Sequence, residues 1–255
     1  MDGLAIAGGF GVGAIVGVTG VGGGSLMTPL LLSVFRLSPA VAIGTDLWFA
    51  AVTKLSGSAA HARHGHVKWR ITSLLLAGSV PASIMTVILM HTIGLSKGGA
   101  STLTFSLGIA LLLTAVVVAF KKSWQAIGLR LEKIIPESRK PALTIASGVL
   151  LGVLVSLSSI GAGAIGATLI LLIYPRLETR YIVGSDIAHA VPLTLVAGIG
   201  HATLGNVNWA LLVPLLMGSI PGIWLGAQLT RRLPESVVRG LLCASLLMAG
   251  WKVIH

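Results

Sequence analysis

The sequence predicts an all-α polytopic membrane protein with two inverted-topology repeats. Each repeat is a broken-helix hairpin plus three transmembrane helices, giving about 8 to 10 membrane segments in total. Three observations carry this expectation. The chain is 55% hydrophobic and 10% charged, with a mean hydropathy of +0.95, far from a soluble globular domain. Slid along itself by 140 residues without a gap, it shows 20 identities in the 59 positions from Gly23 to Pro81. Its loops also differ in charge between the two copies, which sets their orientation.

A helix needs about 20 apolar residues to cross about 30 Å of hydrocarbon. Six runs meet or approach that length: Val41 to His61, Ile71 to Thr92, Ala100 to Phe120, Tyr181 to His201, Trp209 to Leu229 and Val237 to Ile254. Two further regions behave differently. Leu4 to Phe35 is too long for one span and is cut at TGVGGGS (Thr19 to Ser25), leaving a second arm that reaches only half way across. Three consecutive glycines interrupt a helix, because each costs about 0.8 to 1 kcal/mol relative to alanine. Ala142 to Tyr174 has the same form, broken at SSIGAG (Ser158 to Gly163). Gly9, Gly13 and Gly17, spaced by four, read instead as a seam for close helix packing.

The two broken regions open the two copies of the repeat. Matched pairs include Thr28 with Thr168, Gly44 with Gly184, Asp46 with Asp186, His61 with His201, Gly65 with Gly205, Trp69 with Trp209 and Pro81 with Pro221. Residues 1–120 form the first membrane repeat, 121–141 a basic linker and 142–255 the second repeat. The loop Ala62 to Arg70 carries Arg63, Lys68 and Arg70 with no acid, and reads as cytoplasmic, while its counterpart Ala202 to Asn208 carries no charge. The linker Lys121 to Lys140 has six basic residues against Glu132 and Glu137, which also suits the cytoplasm. These assignments agree if the copies are inverted, with the N-terminus outside, in the inner membrane.

The net charge of +11 sits in short connections between apolar runs, so it argues for membrane topology and against nucleic-acid binding. Cys243 is the single cysteine, which excludes a disulfide framework. The first apolar run has no basic leader, so no cleavable signal is expected.

Broken backbone at membrane depth is tolerated where it lines a cavity, and a helix N-terminus there offers unpaired N–H groups to an anion. The candidate substrate-binding residues are therefore Thr19, Gly22, Gly23, Gly24 and Ser25 at the first tip, and Ser158, Ser159, Gly161 and Gly163 at the second. Ionisable groups within apolar spans are costly and few. Asp46 and Asp186 occupy matched positions, and either anchor a neighbouring hairpin or couple transport to a proton or cation. Lys54, whose counterpart is Thr194, either pairs with Asp46 or attracts an anion. His189, three residues after Asp186, either relays protons, contacts an anion or simply packs. Pro81, Pro192 and Pro221 are candidate hinges. His61, His64 and His66 lie among basic residues without a carboxylate or cysteine, so no metal site is expected, and no cofactor.

The stretch TGVGGGSLMTPLLL (Thr19 to Leu32) followed by GTDL (Gly44 to Leu47), with the paired hairpins, resembles the sulfite exporter TauE/SafE family, also called toluene sulfonate uptake permeases. The likeness covers nearly the whole chain. It implies transport of sulfite, thiosulfate, sulfonates or sulfoacetate-like compounds. Many members carry consecutive glycines at the second tip as well, whereas Ala162 and Ala164 interleave Gly161 and Gly163 here. The residues alone point to an anion-binding secondary carrier and not an enzyme. The alternatives are a carrier of another small anion, a non-transporting membrane subunit, or a membrane-embedded hydrolase using Ser25 or Ser159 with His61, His189 or His201. The expected partners are a small anionic substrate, a coupling proton or cation, and the lipid bilayer.

Overall fold

The computed structural model of the chain describes residues 2–19, 24–94 and 100–229, and in the tail residues 240, 243–244, 246–247 and 250–251. The first apolar region forms α1 (Asp2–Thr19) and the short α2 (Gly24–Ser33). Three long helices follow: α3 (Pro39–Arg63), α4 (Trp69–Thr92) and α5 (Ala100–Ala119). The linker folds as α6 (Lys121–Glu132) and a single 3-10 turn, Glu137–Arg139. The second broken region gives α7 (Lys140–Ser158) and the short α8 (Ala164–Ile173), then α9 (Thr179–Thr203) and α10 (Trp209–Leu229). Described residues of the tail are helical.

Among the described residues, five helices are long and apolar enough to cross a membrane: α4, α5, α7 with its preceding turn, α9 and α10. At 25 residues α3 equals α9 in length but falls outside that set, and it carries Asp46 and Lys54. Each short arm has 10 residues, or about 15 Å of helix, half the hydrocarbon thickness. The expected last span, Val237 to Ile254, lies largely outside the described residues.

The joins between the long helices repeat. α3 ends at Gly65 (φ +68°) and α9 at Gly205 (φ +74°), the left-handed conformation glycine adopts without a Cβ penalty. Gly65 N–H donates to Ala62 O and Gly205 N–H to Ala202 O, each at 3.0 Å. His66 N–H returns to His61 O and Asn206 N–H to His201 O, each at 2.9 Å. The sequence expectation of one turn used twice describes these joins.

Contacts between the copies are reciprocal. Lys68 N–H donates to Ser185 Oγ, and Asn208 N–H donates to Thr45 Oγ1, both at 2.9 Å. A Cβ on Gly44 would stand 1.9 Å from Asn206 O, and one on Gly184 would stand 2.4 Å from His66 O. Each bond or close approach recurs with both partners exchanged for their counterparts. The same exchange governs the larger pairings, in which α1 lies along α10 while α4 lies along α7. Gly9 and Gly13 allow α1 to approach Leu215 O and Ser219 O; Gly148 and Gly152 bring α7 to Leu75 O and Ser79 O. A Cβ at any of these four positions would stand 2.2 to 2.4 Å from the carbonyl oxygen, so only glycine permits the approach.

α3 packs against α9 between these pairs, and the cores on either side are apolar. One contains Ile43, Leu47, Leu75, Leu151, Val155 and Leu193; the other contains Met27, Leu31, Phe49 and Leu215. The outward faces of α4 and α10 expose Met85, Ile88, Met217, Ile220 and Trp224. Bare apolar surface of this extent suits lipid rather than water. The basic linker helix α6 is amphipathic and docks on α8, where Gly128 meets Leu171 O. Trp124 Nε1 donates to Val117 O at 3.0 Å, and Glu132 takes Arg176 at 2.9 Å and Lys140 at 3.7 Å.

Candidate functional site

The second hairpin tip is a chain reversal built from unusual backbone. α7 stops because Ser159 turns left-handed at φ 60°, and Gly161 (φ 126°) and Gly163 (φ 137°) continue the break before α8 starts. Ser158 Oγ donates to Leu154 O at 2.6 Å and accepts Ile160 N–H at 3.2 Å, which closes the end of α7. Ser158 is thereby committed to the tip itself. Ser159 is buried and its Oγ has no hydrogen-bond partner among the described residues.

Lys54 reaches this tip from α3. Its Nζ donates to Ala162 O at 2.6 Å, and the side chain is buried. The charges of Asp186 and Asp46 both act on its ammonium, as does the ring of His189, so Lys54 is the hub of the buried polar centre. Asp46 Oδ2 accepts the hydroxyl of Thr28 on α2, and Ser159 stands beside the same carboxylate. Asp46 thus ties the short arm α2 to α3, as the anchoring reading expects, and it also faces Lys54. Asp186 lies against the first turn of α8, with Oδ1 2.0 Å from where a Cβ on Gly166 would stand. His189 Nε2 shares a hydrogen bond with Ser79 Oγ on α4 at 2.9 Å. Asp46 Oδ1, Asp186 Oδ1, Ser159 Oγ and His189 Nδ1 are all buried without a partner among the described residues. Such groups carry a desolvation cost of about 1 to 3 kcal/mol each, and their gathering around one lysine makes this centre the candidate site.

Of the residues the sequence singled out, the structure brings together Lys54, Asp46, Asp186, His189, Ser159 and the backbone of the second tip. Gly22 and Gly23 lie outside the described residues; Thr19 ends α1, and Gly24 and Ser25 begin α2. Pro81, Pro192 and Pro221 each lie inside a continuous helix, α4, α9 and α10 respectively. His201, the counterpart of His61, is fully buried, and its Nε2 lies 2.9 Å from Ser156 O, tying α9 to α7. The sequence reading missed Ala162, whose contribution is a backbone carbonyl, and Ser79 and Gly166. Thr28 was visible as a matched residue of the repeat, though not as the partner of Asp46.

Apolar helices of membrane-crossing length around a buried charged centre are the architecture of a multi-pass membrane protein, and the family and relatives that follow place it among membrane transporters. The sulfite exporter TauE/SafE profile matches residues 5–253, and the chain belongs to that family. It is 34% identical over 253 residues to the probable membrane transporter protein YjnA of Bacillus subtilis (strain 168), covering 95% of this chain and 96% of that one. A second Bacillus subtilis protein, the probable membrane transporter protein YdhB, is 28% identical over 248 residues and covers 94% of each chain. A probable membrane transporter protein of Xylella fastidiosa (strain Temecula1 / ATCC 700964) is 30% identical over 227 residues, covering 88% of this chain and 83% of its own. No solved structure matches the chain.

Proposed function

We propose that this transporter is a secondary carrier of a small sulfur-containing anion such as sulfite, thiosulfate or an organosulfonate. It works in the inner membrane by alternating access around the two hairpin tips. The observation that carries this reading is the bond from Lys54 to the Ala162 carbonyl of the broken tip, within a ring of unpartnered polar groups. Among the described residues the hydrogen bond of this buried ammonium goes to a neutral carbonyl and not to a carboxylate, and a helix start beside it adds N–H donors for an anion. The substrate-binding set proposed is Thr19, Gly22, Gly23, Gly24, Ser25, Lys54, Ser158, Ser159, Gly161, Gly163 and His189. The class of anion rests on the family description, while the positive charge rests on Lys54.

Exchange-related contacts between the copies support a two-fold relation, and the loop charges support its inversion, with the N-terminus outside and residues 121–140 cytoplasmic. The sequence shows no nucleotide-binding motif, which fits a cycle driven by gradients or by the substrate's own charge. Thermal unfolding of the purified chain with sulfite, thiosulfate, sulfate, sulfonates and neutral controls tests the site, followed by flux of the stabilising anion in proteoliposomes. Stabilisation by sulfur oxyanions and not by neutral analogues is expected. A chain that none of them stabilises or crosses with would sink the proposal.

A further inference from the structure

Asp46 and Asp186 are equivalent in sequence, but their surroundings differ. At the position that is Gly166 in the second copy the first copy has Leu26, and a Cβ at Gly166 would stand 2.0 Å from Asp186 Oδ1, so the approach made there depends on glycine. Asp46 instead takes the Thr28 hydroxyl. Among the described residues no side chain donates a hydrogen bond to Asp186, and its Oδ1 is without any partner. One carboxylate is fastened into the fold. The other is held against bare backbone beside the hub lysine.

The charges around that lysine do not balance. Two carboxylates face one ammonium, and all three are buried, so with all three ionised the centre carries one negative charge in excess before any substrate arrives. An incoming anion would add to that excess in a region where uncompensated charge is strongly disfavoured. The charged group set against Asp186 is Lys54 on α3; at the α3–α4 turn His66 and Lys68 meet the start of α9 at Gly184 and Ser185 through backbone atoms, with the Lys68 ammonium over the Tyr181 ring, and His189 lies three residues further along α9. α4 turns the hydroxyls of Thr72 and Ser79 toward α9, and α8 presents the backbone of Gly166. A proton taken up by His189 would set a second cation against Lys54. Asp186 is the group left to receive it.

We infer that Asp186 binds the coupling proton, and that its carboxylate becomes a carboxylic acid when the anion binds, so that the net charge of the buried centre does not change. The carrier then moves an anion and a proton together in the same direction. This rests on the anion-site reading above. One proton taken up per anion makes affinity rise about tenfold for each unit fall in pH, over the range where the empty site is unprotonated.

The experiment uses the full chain in proteoliposomes with thiosulfate and benzenesulfonate, neither of which takes up protons near neutrality. Affinity is measured against pH, and infrared difference spectra follow the carboxylic-acid carbonyl band. Wild type should show the tenfold slope and a band that grows on binding. Asp186→Asn should flatten the slope and remove the band; Asp46→Asn should keep both. Gly166→Ala, which fills the space of Oδ1, serves as the second variant should Asp186→Asn fail to fold, and should also flatten the slope. A slope unchanged in Asp186→Asn or Gly166→Ala, lost only in Asp46→Asn, or replaced by dependence on sodium overturns the inference. If neither anion binds, the anion-site reading fails. The infrared pH titration then decides by itself: a band present in wild type and missing from Asp186→Asn sustains the proton site, and the same band in both overturns it.

Discussion

Replacing Lys54 with methionine removes the positive charge that, among the described residues, faces two buried carboxylates, while nearly preserving side-chain volume. Breaking a buried charge pair from one side costs about 3 to 5 kcal/mol, because the partner is left uncompensated. In a domain of this size that is a fall of roughly 6 to 20 °C in the unfolding midpoint. If the cost arises from the stranded carboxylate, removing that charge as well should recover it. Lys54→Met combined with Asp186→Asn should therefore be more stable than Lys54→Met alone, with a coupling energy in the range of about 0.5 to 3 kcal/mol. Loss of the bond to the Ala162 carbonyl remains in both and sets the part that is not recovered. The four proteins of the cycle are compared by thermal unfolding in one detergent at one pH. Strictly additive losses would show that Lys54 and Asp186 do not share a charge centre. Binding gives a separate reading: Lys54→Met should lose about 10- to 150-fold in anion affinity, the value of a charge-assisted hydrogen bond, and Lys54→Arg less.

Inversion of the copies predicts that single cysteines at Arg63 and Thr203, both exposed, label from opposite membrane faces in a Cys243→Ser background; labelling from one face would refute it. Gly44→Ala and Gly184→Ala each drive a Cβ into a carbonyl of the other copy and should cost about 1 to 3 kcal/mol, read as lower unfolding midpoints of similar size in both. Gly65→Ala and Gly205→Ala meet no atom within 4 Å, so only the left-handed backbone opposes them; a loss of about 1 kcal/mol is expected, and a neutral result would refute the strain argument.

Much of the architecture is legible in the sequence because it depends on burial and on glycine. The long apolar runs become α4, α5, α9 and α10, and both broken regions become a long arm with a short one. Gly9 and Gly13 pack close, as their spacing suggests. The site is legible only in part. Lys54 stands out because charge in an apolar run is costly, but its partner Ala162 acts through a carbonyl that every residue possesses. The difference between the two aspartates is set by position 166 against position 26, which matters only once α8 lies beside α9. The hydrogen bond of His189 to Ser79 joins residues 110 apart, and nothing in local pattern encodes it.

The interleaving of the copies also limits how the carrier can move. α1 and α10 come from different copies yet meet backbone to backbone through Gly9, Gly13, Gly218 and Gly222; α4 and α7 do the same through Gly78, Gly148 and Gly152. Close-packed backbone has no long side chains to slide or repack, so each pair moves as a unit. Between the pairs run α3, which carries Asp46 and Lys54, and α9, which carries Asp186 and His189. Alternating access, as proposed above, would then be a rocking of α1–α10 against α4–α7 about the charged centre, rather than of residues 1–120 against residues 142–255. Spin labels on exposed side chains test it: Phe10 with Trp224 lies within one pair, and Phe10 with Met85 lies across the two. The first distance should stay constant between anion-free and anion-bound protein while the second shifts. A change within the pair and none across would assign the motion to the sequence repeats instead.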